Sequence, residues 1–331
     1  MFKRDSNRKE KRYPLFHISP GVKVLLTLAL ITIIGGMHLA GAAYAGTVSL
    51  SQTGQTSSYA TGDDGAIRAG VAWPSPRFTD NGNQTVTDNL TGLMWTKDAN
   101  LPGTTKTWQE ALDYVASMNS AGTYGYTDWR LPNVNELESL VNAGQANPTT
   151  WLISQGFANV QTNDYWSSTS SAGSTSEAWF VNMVDGNVPA HVKSSGHYVW
   201  PVRSGQSGTF GNAAIWSTGQ TITYATGDDG ALQKGIAWPN PRFTDNGNQT
   251  VTDNLTGLMW TKNANLPGTY KTWQEALDYA ASMNNGAGTY GYTDWRLPNR
   301  KELHSLSDYG MYSPALPSGQ PFTNMQSDWY W

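Results

Sequence analysis

Residues Pro76 to Lys97 read PRFTDNGNQTVTDNLTGLMWTK, and the same letters return without a change as Pro241 to Lys262. Inside this stretch Asn81-Gly82 lies between the β-formers Arg77–Asp80 and Gln84–Asp88, the pairing of turn and strand residues that most strongly signals a hairpin. Asn89-Leu90-Thr91-Gly92 then turns the chain into Leu93-Met94-Trp95, which predicts a three-stranded meander.

Working outward, the pattern changes from strand to helix. Thr107 followed three residues later by Glu110 makes a capping box, and Trp108, Ala111, Leu112, Val115 and Met118 fall on one helical face. A second helix is predicted after Leu131-Pro132, with Asn133 as N-cap, Glu136 at the third position, and Leu137, Leu140 and Val141 turned inward. From Tyr165 the alternation is β again: Tyr165–Thr169, Ala178–Met183, a turn at Asp185-Gly186-Asn187, then Val188–Lys193 and His197–Arg203. Strands, two helices and strands again make an α+β unit, two helices packed on a largely antiparallel sheet.

The unit is duplicated. Ala121–Asn133 (AGTYGYTDWRLPN) recurs as Ala287–Asn299, so the chain holds a tandem repeat of a self-contained domain rather than layers of a solenoid. The first copy is assigned to 46–203, a flexible Gly/Ser-rich linker to 204–217, and the second copy to 218–331. Tyr330-Trp331 match Tyr165-Trp166, so the second copy is expected to lack the late strands, as a gene fragment or premature stop sooner than as a copy completed by a partner chain.

Val24 to Ile34 is an apolar run after a basic segment and before Ala43-Tyr44-Ala45, the small-x-small form of a processing site, so residues 1–45 read as a secretory signal peptide, with an uncleaved membrane anchor as the alternative. The remaining chain is expected to be exported: extracellular, at the cell surface or periplasmic. The signal segment holds seven of the 21 Lys and Arg and two of the 25 Asp and Glu, leaving 14 basic (21 − 7) against 23 acidic residues (25 − 2). A net charge near −9 on the exported part argues against nucleic acid as a partner. The chain has no Cys, which excludes disulfides, thiolate metal sites and a cysteine nucleophile.

The series Phe78–Gly82, Val86–Trp95, Trp108–Leu112, Asp128–Asn133, Glu136-Leu137 and Tyr165–Ser168 resembles the family of the C-terminal domain of the Legionella collagen-like adhesin, long catalogued as a domain of unknown function. The resemblance implies a C-type-lectin-like fold, distantly akin to formylglycine-generating enzymes, and extracellular adhesion, with sulfated glycosaminoglycan as ligand of the named relative. The collagen-like stalk is absent, and the acidic charge makes a polyanionic sugar a poorer ligand here.

No catalytic residue is assigned. The chemistry of formylglycine generation needs a thiol, and the five His form neither a His-Glu-x-x-His helix nor part of a Gly-x-Ser-x-Gly elbow site. Asp63-Asp64 and Asp228-Asp229 sit in Thr-Gly-Asp-Asp-Gly stretches that read as turns. Asp80, Asn81, Asn83 and Asp88 make an oxygen-rich loop with some likeness to a Ca²⁺ site, against which stands the plain hairpin turn. Trp95, Trp108, Trp129 and Trp166 are assigned to the core. Trp179, His197, Tyr198 and Trp200 lie in the late strands, the half that forms the ligand surface in the lectin-like fold the resemblance implies, and are the candidate surface for an extracellular glycan or protein ligand. The sequence thus reads as a non-enzymatic recognition or adhesion protein. A ligand-display protein diversified by a retroelement is the alternative, and an enzyme of the formylglycine-generating fold the outlying one.

Overall fold

The computed structural model describes residues 48–204 and 213–331. The signal or anchor segment, and the linker residues 205–212, lie outside the described residues. Among the described residues no helix is long and apolar enough to cross a membrane.

In copy one a short helix α1 (Asp64–Ile67) precedes β1 (Phe78–Asp80), β2 (Thr85–Asp88) and β3 (Leu93–Thr96), the expected meander. Phe78 lies opposite Asp88 and Val86 opposite Trp95, all antiparallel. The Asp80 carboxylate accepts the Gly82 N–H at 2.9 Å, and Gly82 has φ +74°, so the turn is held by its own side chain and by a residue without a Cβ. Helix α2 (Trp108–Ala121) starts in the expected capping box of Thr107 and Glu110 and buries Trp108, Ala111, Leu112, Val115 and Met118. Helix α3 (Val134–Glu138) starts in a second box, Asn133 with Glu136. A further helix, α4 (Pro148–Ser154), follows Asn147 as N-cap. Strands β4 (Asp164–Ser170), β5 (Glu177–Asn182), β6 (Ala190–Val192) and β7 (Val202–Ser204) complete the copy.

The strands form two sheets and not the one that the sequence suggests. β1-β2-β3-β7 is one, β4-β5-β6 the other. The late segment from His197 to Pro201 is the seam: it bridges Lys106 and Tyr165 before β7 pairs with β3. Trp95, Trp200, Tyr165 and Leu137 fill one core cluster, and Trp108, Trp129, Trp166 and Phe180 the other. Each such side chain taken out of water contributes about 2–3 kcal/mol.

Copy two repeats the plan with α5 (Asp229–Leu232), β8 (Phe243–Asp245), β9 (Thr250–Asp253), β10 (Met259–Thr261), α6 (Trp273–Ser282) and α7 (Arg300–Ser305). Its only sheet among the described residues is β8-β9-β10.

The two copies pack through matched contacts, so that a pseudo-two-fold axis runs between them. Val48 N–H donates to Leu255 O at 2.8 Å and Ala213 N–H to Leu90 O at 3.2 Å. Asn133 Nδ2 donates to Lys234 O at 3.1 Å, and its counterpart Asn299 Nδ2 to Ala69 O at 3.2 Å. Val48, Leu50, Trp216 and Leu255 form a small apolar cluster at this interface. Ala213 and Trp216 are therefore buried, and the sequence reading of 204–217 as a flexible linker is corrected for its last residues: an indole with an apolar partner surface does not stay in water. The Asp-Asp-Gly stretches are capped helices rather than plain turns, with Asp63 and Asp228 accepting the Ala66 and Ala231 N–H groups.

Helices α3 and α7 face each other near the axis, where Glu138 of copy one lies 3.6 Å from Arg300 and 3.9 Å from His304. Lys301 Nζ donates to Ser51 Oγ at 3.0 Å. Burial pushes the Lys301 ammonium down to about 8, with Glu138 opposing the shift.

Candidate ligand-binding site

A groove of about 1100 Å³ opens between the copies. One wall is copy one: Tyr59 and Asp64 of its leading segment, and Trp179 of β5. The other is copy two: Trp273, Tyr309 and Trp331. Trp179 meets Tyr309 edge-on, ring centroids 5.2 Å apart. Tyr312 lies over Gly173, where a Cβ would come within 2.5 Å of the ring, so the close approach requires glycine there.

Of the four residues expected at a ligand surface, only Trp179 lines this groove. Trp200 is fully buried; its Nε1 donates to Thr96 O at 3.0 Å and its ring packs edge-on against Trp95. The expectation that Trp200 contacts ligand is corrected: the seam crosses the core, so its side chain points inward. His197 is also buried, stacked on Phe180 with centroids 4.8 Å apart. Its Nε2 lies 3.2 Å from His191 Nδ1 and its Nδ1 3.6 Å from Asp164. Burial first, and His191 second, push the His197 imidazole down to about 4, so it is neutral at physiological pH. Tyr198 is half-buried against Tyr165.

The Asp80, Asn81, Asn83 and Asp88 set is drawn apart by other partners. Asp88 is fully buried and holds Arg77, whose Nε and NH2 donate at 3.3 and 3.1 Å. Arg77 also donates to Ser139 O at 2.6 Å. Asp80 takes Lys97 Nζ at 2.6 Å. Asn81 bonds Thr85 and Thr87 across the hairpin, and Asn83 accepts the Thr85 hydroxyl. Each carboxylate is already neutralised by a cation of the protein. Among the described residues no group of three or more His, Cys, Asp or Glu could hold a metal ion.

The Arg-Leu-Pro-Asn segment is structural. Arg130 and Glu136 form a buried two-bond pair, and Glu136 also accepts the Asn133 N–H at 2.9 Å. The Arg130 backbone bonds Val202 in both directions, at 2.9 and 3.0 Å. This motif therefore ties the start of α3 to β7.

The Lcl C-terminal domain model matches residues 84–203 and 249–331, once in each copy. The chain belongs to the Lcl C-terminal domain family. The matched spans take in the second hairpin strand, both principal helices and the Arg-Leu-Pro-Asn segment of each copy. No curated protein matches the chain. Membership places the tandem among adhesin domains, non-enzymatic and bacterial.

The groove itself was missed by sequence reasoning, because it arises from the packing of the copies. Trp179 is the one lining residue that the sequence signalled.

Proposed function

We propose that the protein is an exported recognition and adhesion protein whose extracellular ligand is received in the aromatic groove beside Trp179. The observation that carries this reading is the convergence of partly exposed aromatic side chains from both copies on one groove, in a chain of an adhesin family. Trp and Tyr rings bring large contact area with little side-chain entropy to lose, which suits recognition. Two sheets joined by a late seam, with the Arg-Leu-Pro helix start, support a C-type-lectin-like reading of each copy. Export rests on the N-terminal apolar run and on the family.

The test is an array of extracellular glycans and matrix proteins probed with the chain from Tyr44 onward, beside Trp179→Ala. Retention by a defined class of spots, reduced about tenfold or more in the variant, is the expected result. Equal retention by both would refute the groove as the ligand site.

A further inference from the structure

The sequence holds three Asn-Gly pairs: Asn81-Gly82, Asn246-Gly247 and Asn285-Gly286. An Asn followed by Gly can lose ammonia, because no Cβ on the second residue keeps its backbone nitrogen from the Asn carboxamide carbon. The two atoms must meet in line, so whatever holds either of them elsewhere slows the reaction. The first two pairs are held. In the copy-one hairpin Asn81 Nδ2 donates to Thr85 Oγ1 at 2.9 Å and to Thr87 Oγ1 at 3.0 Å, while the Gly82 N–H donates to Asp80 Oδ1 at 2.9 Å. In copy two Asn246 Nδ2 donates to Thr250 and Thr252 at 2.9 and 3.0 Å, and the Gly247 N–H to Asp245 Oδ1 at 3.0 Å.

The third pair is not. Asn285-Gly286 stands where copy one has Ser120 alone, so this turn is one residue longer in copy two. Ser120 lies inside α2, which runs to Ala121, whereas α6 stops at Ser282. Asn285 is exposed, and Gly286 has φ +61° with nothing within 4 Å of the place a Cβ would take. Among the described residues no group bonds the Asn285 carboxamide and none accepts the Gly286 N–H. The same turn is the mount of Trp295. Asn284 Oδ1 accepts the Trp295 N–H at 2.7 Å, Asn284 Nδ2 donates to Trp295 O at 2.8 Å, and Thr289 O accepts the Trp295 Nε1–H at 2.9 Å.

We infer that Asn285 is a site of spontaneous covalent modification, its conversion to aspartate and isoaspartate, and that this loosens the Trp295 mount of copy two as the protein ages. The Gly286 nitrogen forms a bond to Asn285 Cγ, the bond from Cγ to Nδ2 breaks, and ammonia leaves with the Gly286 proton. Water then adds to one of the two carbonyl carbons of the cyclic imide. Opening on one side gives aspartate. Opening on the other gives isoaspartate, in which the main chain runs through the former side chain and is longer by one methylene. Nothing is oxidised or reduced. Either product places a carboxylate next to Asn284, and isoaspartate also stretches the turn between Asn284 and Thr289, the two anchors of Trp295. Copy one, with Ser120 in a helix at this point, has no such site in its corresponding turn.

The test ages the purified full chain at neutral pH and body temperature and follows each Asn-Gly pair by peptide mass spectrometry, with isoaspartate located by enzymatic methylation. The expected result is exchange of amide for acid at Asn285 about tenfold or more faster than at Asn81 and Asn246, a difference that disappears when the chain is unfolded in urea. Thr87→Ala, which removes one of the two clamps on Asn81, speeds the reaction there several-fold. In the aged protein the Trp295 amide exchanges its hydrogen several-fold faster than in the fresh one. Asn81 or Asn246 reacting as fast as Asn285 in the folded chain would overturn the inference, as would an intact Asn285 in a folded chain whose urea-unfolded form is modified. Unchanged exchange at Trp295 after modification overturns the loosening of its mount alone.

Discussion

Replacing Asp229 by Asn should stabilise the protein at neutral pH and leave it nearly unchanged in acid. Asp229 is buried at the first position of α5, where one carboxylate oxygen accepts the hydroxyls of Thr169 and Thr218 at 2.7 and 2.6 Å. Burial pushes its carboxyl up to about 6, and the two hydroxyl donors only partly oppose that. In the unfolded chain the group titrates near the ordinary value of about 3.9. Between these two values the folded state holds the extra proton, so stability from this group falls as pH rises through the interval. The penalty is absent below about pH 4 and complete above about pH 6, and two pKa units correspond to about 3 kcal/mol. Asn keeps an oxygen for both hydroxyls and never ionises. Urea unfolding of Asp229→Asn against the parent should show a gain approaching 3 kcal/mol at about pH 7 and close to none at about pH 4. Ionisation elsewhere cancels in the comparison. A difference between the two proteins that is the same at both pH values would refute the argument, since the hydrogen bonds would then matter and the charge would not.

Other outcomes follow from neighbouring features. Asp88→Ala leaves the buried Arg77 guanidinium without its carboxylate and should cost about 3–5 kcal/mol, whereas Asp80→Ala, at an exposed pair with Lys97, should cost under about 1 kcal/mol by the same urea assay. Millimolar Ca²⁺ should leave the melting temperature unchanged, because Lys97 and Arg77 already neutralise these carboxylates; a rise that Asp80→Ala abolishes would restore the cation site. Trp200→Ala should lose about 3–5 kcal/mol of stability, in contrast to Trp179→Ala, whose effect should fall on ligand retention. Glu138→Lys, set against Arg300 and Lys301, should destabilise by several kcal/mol, and a double-mutant cycle with Lys301→Glu should recover part of the loss.

Local signals were the legible ones. The meander, both capping boxes and the inward faces of α2 and α3 follow from chemistry within a few residues, and Trp95, Trp108, Trp129 and Trp166 are buried, as the family motifs that hold them imply. What failed had a long-range cause. The resemblance puts Trp200, in the late strands, on the ligand face, but the seam that carries it passes between two sheets, and one sheet cannot be told from two by alternation alone. Asp80 and Asp88 look alike in sequence, yet one faces water and the other is fixed by Arg77 from before the hairpin. Trp216 sits beside a Gly/Ser-rich run and is buried only because the other copy lies against it. The groove belongs to neither copy, so no window of sequence contains it.

The meeting of Glu138 with His304 has a further consequence. These two residues occupy the same position of the repeat, so each lies against its own image across the axis. In an isologous dimer of identical subunits such a position can hold only a side chain compatible with itself, and Glu against Glu would repel. Duplication within one chain removes that restriction. One half has become acidic at this point and the other basic, with Arg300 and Lys301 beside His304, so each half fits the other better than it fits a second copy of itself. The covalent tandem thereby encodes its own pairing: heterotypic association within a chain is favoured, and exchange of like halves between neighbouring molecules is opposed by charge.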